Sequence, residues 1–255
     1  VAPLDSTAVD LPGRDALCPL RAASRQGLRI GLPAEYFGDG LSGEVRATLE
    51  GALKVFTEAG AQLVPVSLPH TPYAIDTYYL LCTSEVSSNL SRFDGLRYGL
   101  MEAGSEPSLR SRTATSREAG FGPEAKRRII LGTFCLSKGH YEAFYLRSLR
   151  TRTLIRRDFE VAFGEVDVLA APVSPDVPFP LGAKLTDPRA MHLADIYAVA
   201  APLAGLPALA FPAGFASGLP VGLQLMGPAL SEIHLLEVAH AFQERTDFHF
   251  RTPEL

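Results

Sequence analysis

Leu28-Arg29-Ile30-Gly31-Leu32-Pro33 and Leu63-Val64-Pro65-Val66-Ser67-Leu68 enclose a segment in which Val45, Leu49, Ala52, Leu53 and Phe56 recur at helical spacing. The outer pieces are short, apolar and β-branched, as strands are, and Pro33 closes the first because it cannot donate to a ladder. The apolar spacing between them places one continuous stripe on a helix. Ser42 stands where its hydroxyl can accept from an orphan backbone N–H at the helix start, and Gly60 supplies the left-handed stop. Strand, helix and strand with short joins predict a βαβ unit, so the two strands should run parallel and lie side by side or nearly so.

The alternation continues toward the C-terminus. A helical pattern runs from Thr71 to about Leu90, and a looser polar stretch follows through Thr115. A helix near Pro123–Leu131 leads into a long one from about Lys138 to Phe163. Val166–Val173 is an apolar run closed by prolines at 172, 175, 178 and 180, which reads as a fully buried strand. A helix is expected around Ala190–Leu203. Two strands, Ala208–Phe211 and Val221–Leu225, should then flank a glycine-rich turn at Gly214–Gly218, and a helix from about Leu230 to Phe242 ends the pattern. The reading is an α/β fold with helices on both faces of a sheet. Residues 1–26, rich in Pro, Ala, Ser and charge, read as a connecting segment. Residues 27–255 carry no internal repeat or domain break.

The composition narrows the function. The chain has 255 residues, 47% hydrophobic and 20% charged, enough for a substantial core. A net charge of -4 argues against direct gripping of nucleic acid, which favours a basic excess. Cys18, Cys82 and Cys135 form no C-x-x-C pair and read as free thiols packed in a reducing compartment. The absence of a long apolar run or a basic-then-apolar leader points to a soluble, cytoplasmic protein. The chain opens Val-Ala-Pro-Leu-Asp rather than with Met, so a piece of a longer protein, or a processed one, is expected.

A search for chemistry finds no self-sufficient active site. Gly214-Phe215-Ala216-Ser217-Gly218 places its serine one position too late for a nucleophile elbow. None of the four lysines, Lys54, Lys126, Lys138 and Lys184, has Ser-x-x-Lys spacing. His234 and His240 are six apart and cannot share a metal as an i, i+4 pair would. Arg147, Arg150, Arg152, Arg156 and Arg157 could form a phosphate-binding stripe, but a solvated outer face is the commoner meaning of such a run. Polar residues in apolar surroundings are more pointed: Tyr78 and Tyr79, Arg128 within Lys126-Arg127-Arg128-Ile129-Ile130-Leu131, and Asp195 between Leu193-Ala194 and Ile196-Tyr197. They could be ordinary surface charge at an amphipathic boundary. They could also form a zwitterion site, because a guanidinium holds a carboxylate and a carboxylate holds an ammonium. Composition and spacing leave both readings open.

Longer strings add a resemblance. Ser84-Glu85-Val86-Ser87-Ser88-Asn89-Leu90-Ser91-Arg92-Phe93-Asp94-Gly95, followed by Arg97-Tyr98-Gly99, is one of them. Gly120-Phe121-Gly122-Pro123-Glu124-Ala125-Lys126-Arg127-Arg128-Ile129-Ile130-Leu131-Gly132-Thr133-Phe134 is another. Leu203-Ala204-Gly205-Leu206-Pro207-Ala208 and Gly218-Leu219-Pro220-Val221-Gly222-Leu223-Gln224-Leu225 complete the set. The last two resemble the C-terminal part of the amidase-signature family, and the first two resemble its branch of tRNA-dependent amidotransferase glutaminases, from Asp5 to the C-terminus. The resemblance implies a mixed β-sheet flanked by α-helices on both faces, of which 27–255 would be the C-terminal part of a single amidase domain. It also implies a Ser–cis-Ser–Lys triad that no residue here matches, so this chain alone should be inactive. By the same resemblance, Arg128 matches the residue that binds the glutamine carboxylate and Asp195 the one facing the ammonium. Tyr78, with Tyr79 as rival, matches a tyrosine lining the pocket. The implied partners are the B and C subunits of the amidotransferase, with tRNA bound through the complex and no membrane. No cofactor is expected on this chain, and ATP and Mg2+ would serve the partner subunit. Two departures are evident: Pro202 stands where the family has Asn, and Met101–Arg117 fits poorly and reads as a variable loop.

Overall fold

The computed structural model describes residues 4–5, 26–102, 108–184, 191 and 193–253. The connecting segment read over 1–26, including Cys18, lies almost wholly outside the described residues. Strand β1 (Arg29–Pro33), helix α1 (Gly43–Glu58) and strand β2 (Gln62–Val66) form the expected βαβ unit. The strands are parallel neighbours, with Ile30 beside Leu63. The Ser42 hydroxyl accepts from the Val45 N–H, and Val45, Leu49, Ala52, Leu53 and Phe56 are the buried residues of α1.

Five strands make one mixed sheet in the order β2-β1-β3-β5-β4. Strand β3 (Val168–Pro172) is buried at every position, so both faces of the sheet are covered at its centre. It runs parallel to β1 and antiparallel to β5 (Leu219–Met226), which pairs antiparallel with β4 (Ala208–Ala216). Phe211 on β4 lies opposite Leu223 on β5. On that face the rings of Phe211 and Phe56 each sit 5.2 Å from Phe242 of the last helix, α7 (Glu232–Gln243), which fixes α1 and α7 over the sheet. Gln224 points the other way, because strand side chains alternate. Its amide donates to the Pro172 and Tyr197 carbonyls, both at 2.8 Å, and so binds the chain around Tyr197 to the opposite face. That face also carries α6 (Ala200–Ala204) and α5 (Arg147–Ala162), whose Ile155 and Phe159 are fully buried.

Helices α2 (Ala74–Asn89), α3 (Leu109–Gly120) and α4 (Pro123–Leu136) complete the described secondary structure besides short single turns. Several expectations need correction. Most of the described part of 101–117 belongs to α3 rather than to a loop, capped by Ser108, whose hydroxyl accepts from the Ser111 N–H at 3.1 Å. Only Ser116 of α3 is buried, so it shows no apolar stripe to read. The helix expected from Lys138 begins late: Gly139 takes a left-handed φ of 98°, and a π-helical turn at Glu142–Leu146 precedes α5. Of the helix expected over Ala190–Leu203, residues 194–198 are turns and α6 carries the end, stopped by left-handed Gly205. Strand β4 runs on through Gly214 by way of a bulge. The turn falls at Ser217 and Gly218, both with positive φ, as a tight hairpin requires.

Two consequences can be measured. Gln224→Leu would leave two buried carbonyls without their donor, at about 1–3 kcal/mol for each unsatisfied group. Denaturant unfolding should show a loss of at least ~2 kcal/mol, and a loss below ~0.5 kcal/mol would mean the amide links nothing important. Among the described residues, β2 and β4 are unpaired on their outer edges, and Ile130, Phe134 and Val161 are large exposed hydrophobics. Such edges and patches favour association, so size-exclusion chromatography of the chain alone should give species larger than its 27.4 kDa monomer. A sharp monomer peak with cooperative melting would contradict this.

Candidate functional site

Helix α4 lies directly on α2. A Cβ added to Gly132 would fall 1.9 Å from the Thr83 carbonyl oxygen, so the two backbones are as close as a side-chain-free position allows. The Thr133 hydroxyl, next to Gly132, bonds at 2.9 Å with that of Ser87, one turn beyond Thr83 on α2. One turn earlier the same packing brings Arg128 to α2. Its NH1 reaches the Cys82 Sγ at 3.5 Å, and its guanidinium stands 5.6 Å from the centre of the Tyr79 ring.

Tyr78 belongs to the same group. Its pKa is raised, chiefly by the neighbouring Cys82 thiol and then by burial, against the lowering influence of the Arg128 guanidinium. Burial also raises the Tyr79 phenol, where Arg128 lowers and Asp195 raises the pKa, so two opposite charges act on one ring. Three of the four residues singled out in the sequence therefore meet side by side. The fourth, Asp195, is exposed on the turn that Gln224 holds, and reaches the others through its charge at Tyr79.

A cleft of about 420 Å3 opens beside this group, lined by Tyr78, Cys82, Glu85, Arg152, Pro202 and Leu203 among others. Arg128, Tyr79 and Asp195 are not in its wall; Tyr78 and Cys82 separate Arg128 from it. Sequence reasoning missed Cys82, though it stands four residues after Tyr78 and so on the same helix face. Arg152 is exposed, as the reading of a solvated face has it, and its Nε also donates to the Leu203 carbonyl at 2.8 Å on one side of the cleft. Arg150 and Arg157 are exposed, in keeping with that reading. The departure at Pro202 falls within this wall. As the third residue of α6, its missing N–H is one that no helix would pair, so only the side-chain amide of an Asn is forgone.

The Arg128 guanidinium is paired along its own helix. Glu124 Oε1 accepts from Arg128 Nε at 2.7 Å, while Arg127 takes the same carboxylate through two bonds of 2.8 Å. These donors hold the Glu124 carboxyl down at about 2, with Arg127 the larger cause. The folded value lies below the ordinary one, so the stabilisation is complete above about 4.5 and is lost as pH falls from there through about 2. With the carboxylate 58% exposed, the stabilisation itself is small. Cys135 is buried, as a packing thiol should be, whereas Cys82 is half-buried in the cleft wall. His234 and His240 lie on α7, and among the described residues no three His, Cys, Asp or Glu side chains cluster as a metal site. No helix among them is long and apolar enough to cross a membrane.

The amidase family model matches residues 2–236. The chain belongs to the amidase family. In Moorella thermoacetica, the A subunit of glutamyl-tRNA(Gln) amidotransferase is 51% identical over 253 residues, which are 99% of this chain and 51% of that protein. The crystal structure of the same-named protein from Thermotoga maritima matches with a TM-score of 0.65 and 28% identity, over 91% of this chain and 46% of that one. The peptide amidase of Stenotrophomonas maltophilia matches at 0.63 and 27% identity, over 96% and 48%. The chain thus spans about half the length of the curated relatives it matches. The mixed sheet with helices on both faces is this chain's share of the family fold.

Two measurements probe this candidate site. A carbon-detected NMR titration should place Glu124 near pH 2 and move it upward in Arg127→Ala; a midpoint near 4.5 in the parent chain would remove the paired guanidinia from the picture. Gly132→Ala forces α4 off α2, where overpacking costs about 1–3 kcal/mol or more. Thermal melting should fall accordingly and the Tyr78–Cys82–Arg128 group should come apart, whereas an unchanged melting point would deny the close approach.

Proposed function

We propose that this chain is the glutamine-recognising half of the amidase component of a tRNA-dependent amidotransferase. The observation that carries the reading is the meeting of Arg128 with Tyr78 and Tyr79 beside an open cleft, with Asp195 acting on the same tyrosine. Glutamine presents an α-carboxylate and an α-ammonium. Arg128 would hold the carboxylate through charge-assisted hydrogen bonds, Asp195 would face the ammonium, and the Tyr78 hydroxyl, with Tyr79 beside it, would orient the backbone of the amino acid. The relatives named as amidotransferase subunits support the substrate class, with identity running through nearly the whole chain.

In this reading residues 27–255 are the C-terminal part of one amidase domain. The nucleophile comes from a Ser–cis-Ser–Lys triad outside this chain, which attacks the glutamine side-chain carbonyl, forms an acyl-enzyme and releases ammonia. Ammonia then serves conversion of Glu-tRNA(Gln) to Gln-tRNA(Gln) on the B subunit, which uses ATP and Mg2+, with the C subunit completing a cytoplasmic complex. This chain would bind no cofactor and would meet tRNA only through its partners. A second reading is a binding or assembly module that keeps the fold without chemistry; no nucleophile with a neighbouring base emerges from the sequence, which favours it to that extent.

Ammonia release from glutamine decides between them. The chain alone should be silent, and mixing with a separately produced N-terminal amidase half should restore release. Silence in both, with proven association of the halves, would favour the assembly module, and release by the chain alone would overturn the assignment of the nucleophile. In the active mixture, Arg128→Ala should raise KM for glutamine on the order of 100-fold, about 2.7 kcal/mol, as loss of a charged hydrogen-bond partner does. An unchanged KM would remove Arg128 from the site.

A further inference from the structure

Arg128 is gripped from both ends. On its own helix the Nε donates to Glu124 Oε1 at 2.7 Å, and across the helix interface NH1 meets the Cys82 Sγ at 3.5 Å beside the Tyr78 hydroxyl. Tyr78 and Cys82 form part of the cleft wall, whereas Glu124 is 58% exposed and does not line it. The Nε is held by Glu124, and NH1 lies against one of the two residues that stand between Arg128 and the cleft. An arginine left to itself samples many rotamers, and fixing one costs side-chain entropy.

We propose that Glu124 is a positioning residue for carboxylate recognition, holding Arg128 by its Nε so that the terminal guanidinium nitrogens are left to an incoming carboxylate. The inference rests on the reading of Arg128 as the carboxylate-binding residue. Two features separate this pair from an ordinary helix-surface ion pair. Arg156 and Glu160 on α5 also bond at 2.8 Å, but both side chains are more than half exposed. The Arg128 side chain is only 24% exposed and lies between the Tyr79 ring and the Cys82 thiol.

The second feature is charge. Arg127 binds both oxygens of Glu124, at 2.8 Å each, so one carboxylate is shared by two guanidinia. Glu124, Arg127 and Arg128 together keep one net positive charge. Had Glu124 faced Arg128 alone, the pair would be neutral and an anion would gain little from it. Arg127 thus takes up much of the Glu124 charge, and Glu124 can fix the position of Arg128 without cancelling its attraction for a ligand. Because the carboxyl is held near 2, this arrangement is fully charged at neutral pH.

The test compares glutamine with glutaminamide, whose α-carboxylate is replaced by a neutral amide, in binding titrations of this chain mixed with the N-terminal amidase half. Glu124→Ala should lower the preference for glutamine on the order of 10-fold through weaker glutamine binding, with glutaminamide affinity unchanged. Glu124→Gln, whose amide oxygen still accepts from Nε, should recover most of the loss. Arg128→Ala should abolish the preference. If Arg128→Ala abolishes it and Glu124→Ala leaves it intact, Glu124 is a plain surface partner and this inference falls while the proposed function stands. Tighter glutamine binding in Glu124→Ala would make Glu124 a competitor and overturn the inference equally. A preference unaffected by Arg128→Ala, or no glutamine binding by the parent mixture, overturns both readings.

Discussion

Helix α4 can lie where it does only because position 132 carries no side chain. The Thr83 carbonyl occupies the space that any Cβ would need, and the small polar neighbours Thr83 and Ser84 turn their hydroxyls back onto the Tyr79 and Leu80 carbonyls of their own helix. The result is a flat helix face against which a second backbone can rest. From that contact the remaining geometry of the site follows by helical repeat. Arg128 is one turn before Gly132 and arrives at Cys82; Thr133, one residue after it, arrives at Ser87. A polar cluster is thus placed by van der Waals packing, and its guanidinium is held to a narrow set of positions before any ligand is considered.

The sheet contributes the other side of the site through a single side chain. Gln224 lies on the buried strand β5 and directs its amide to two carbonyls, one at the end of β3 and one at Tyr197. Two residues before Tyr197 is Asp195, in a turn closed by the Ala198 N–H on the Asp195 carbonyl. The Gly-Leu-Pro-Val-Gly-Leu-Gln-Leu string that resembles the family therefore has a physical meaning here. Its apolar residues fill the sheet, and its one amide ties the acidic turn to the sheet face. An apolar residue of similar size would pack there but would strand two acceptors away from water.

How much of this could be read in the sequence depended on whether burial and period coincided. In β1, α1 and β2 they did: the stripe from Val45 to Phe56 is the buried face, and Ser42 and Gly60 sit where the termini fall. Helix α3 escaped because only Ser116 is buried, so a cap rather than an apolar stripe marks it. The second half of strand β4 escaped because Gly214 reads as a turn, although in the structure it lets the strand pass Thr48 of α1, where a Cβ would crowd the Thr48 methyl. For the site, spacing could not choose between surface charge and a binding cluster at Arg128 and Asp195; the resemblance chose. The bond from Arg152 to the Leu203 carbonyl was equally illegible, since an exposed guanidinium has the same local sequence with or without such a bond.

The charges at the proposed site fit a zwitterion better than a simple anion. The chain carries a net charge of -4, so long-range attraction does not favour anions in general. Locally, Glu124, Arg127 and Arg128 sum to one positive charge, and Asp195 brings one negative charge that acts on the same Tyr79 ring. Opposite charges flanking one aromatic residue form a dipole with little net field at a distance. A ligand bearing only a carboxylate would gain from Arg128 and be opposed by Asp195, while a ligand bearing only an ammonium would meet the reverse. A molecule with both charges would be attracted at each end. Selectivity for amino acids would then come from the separation of two charges held by different elements, α4 packed on α2 and a turn tied to the sheet, rather than from any one residue's affinity.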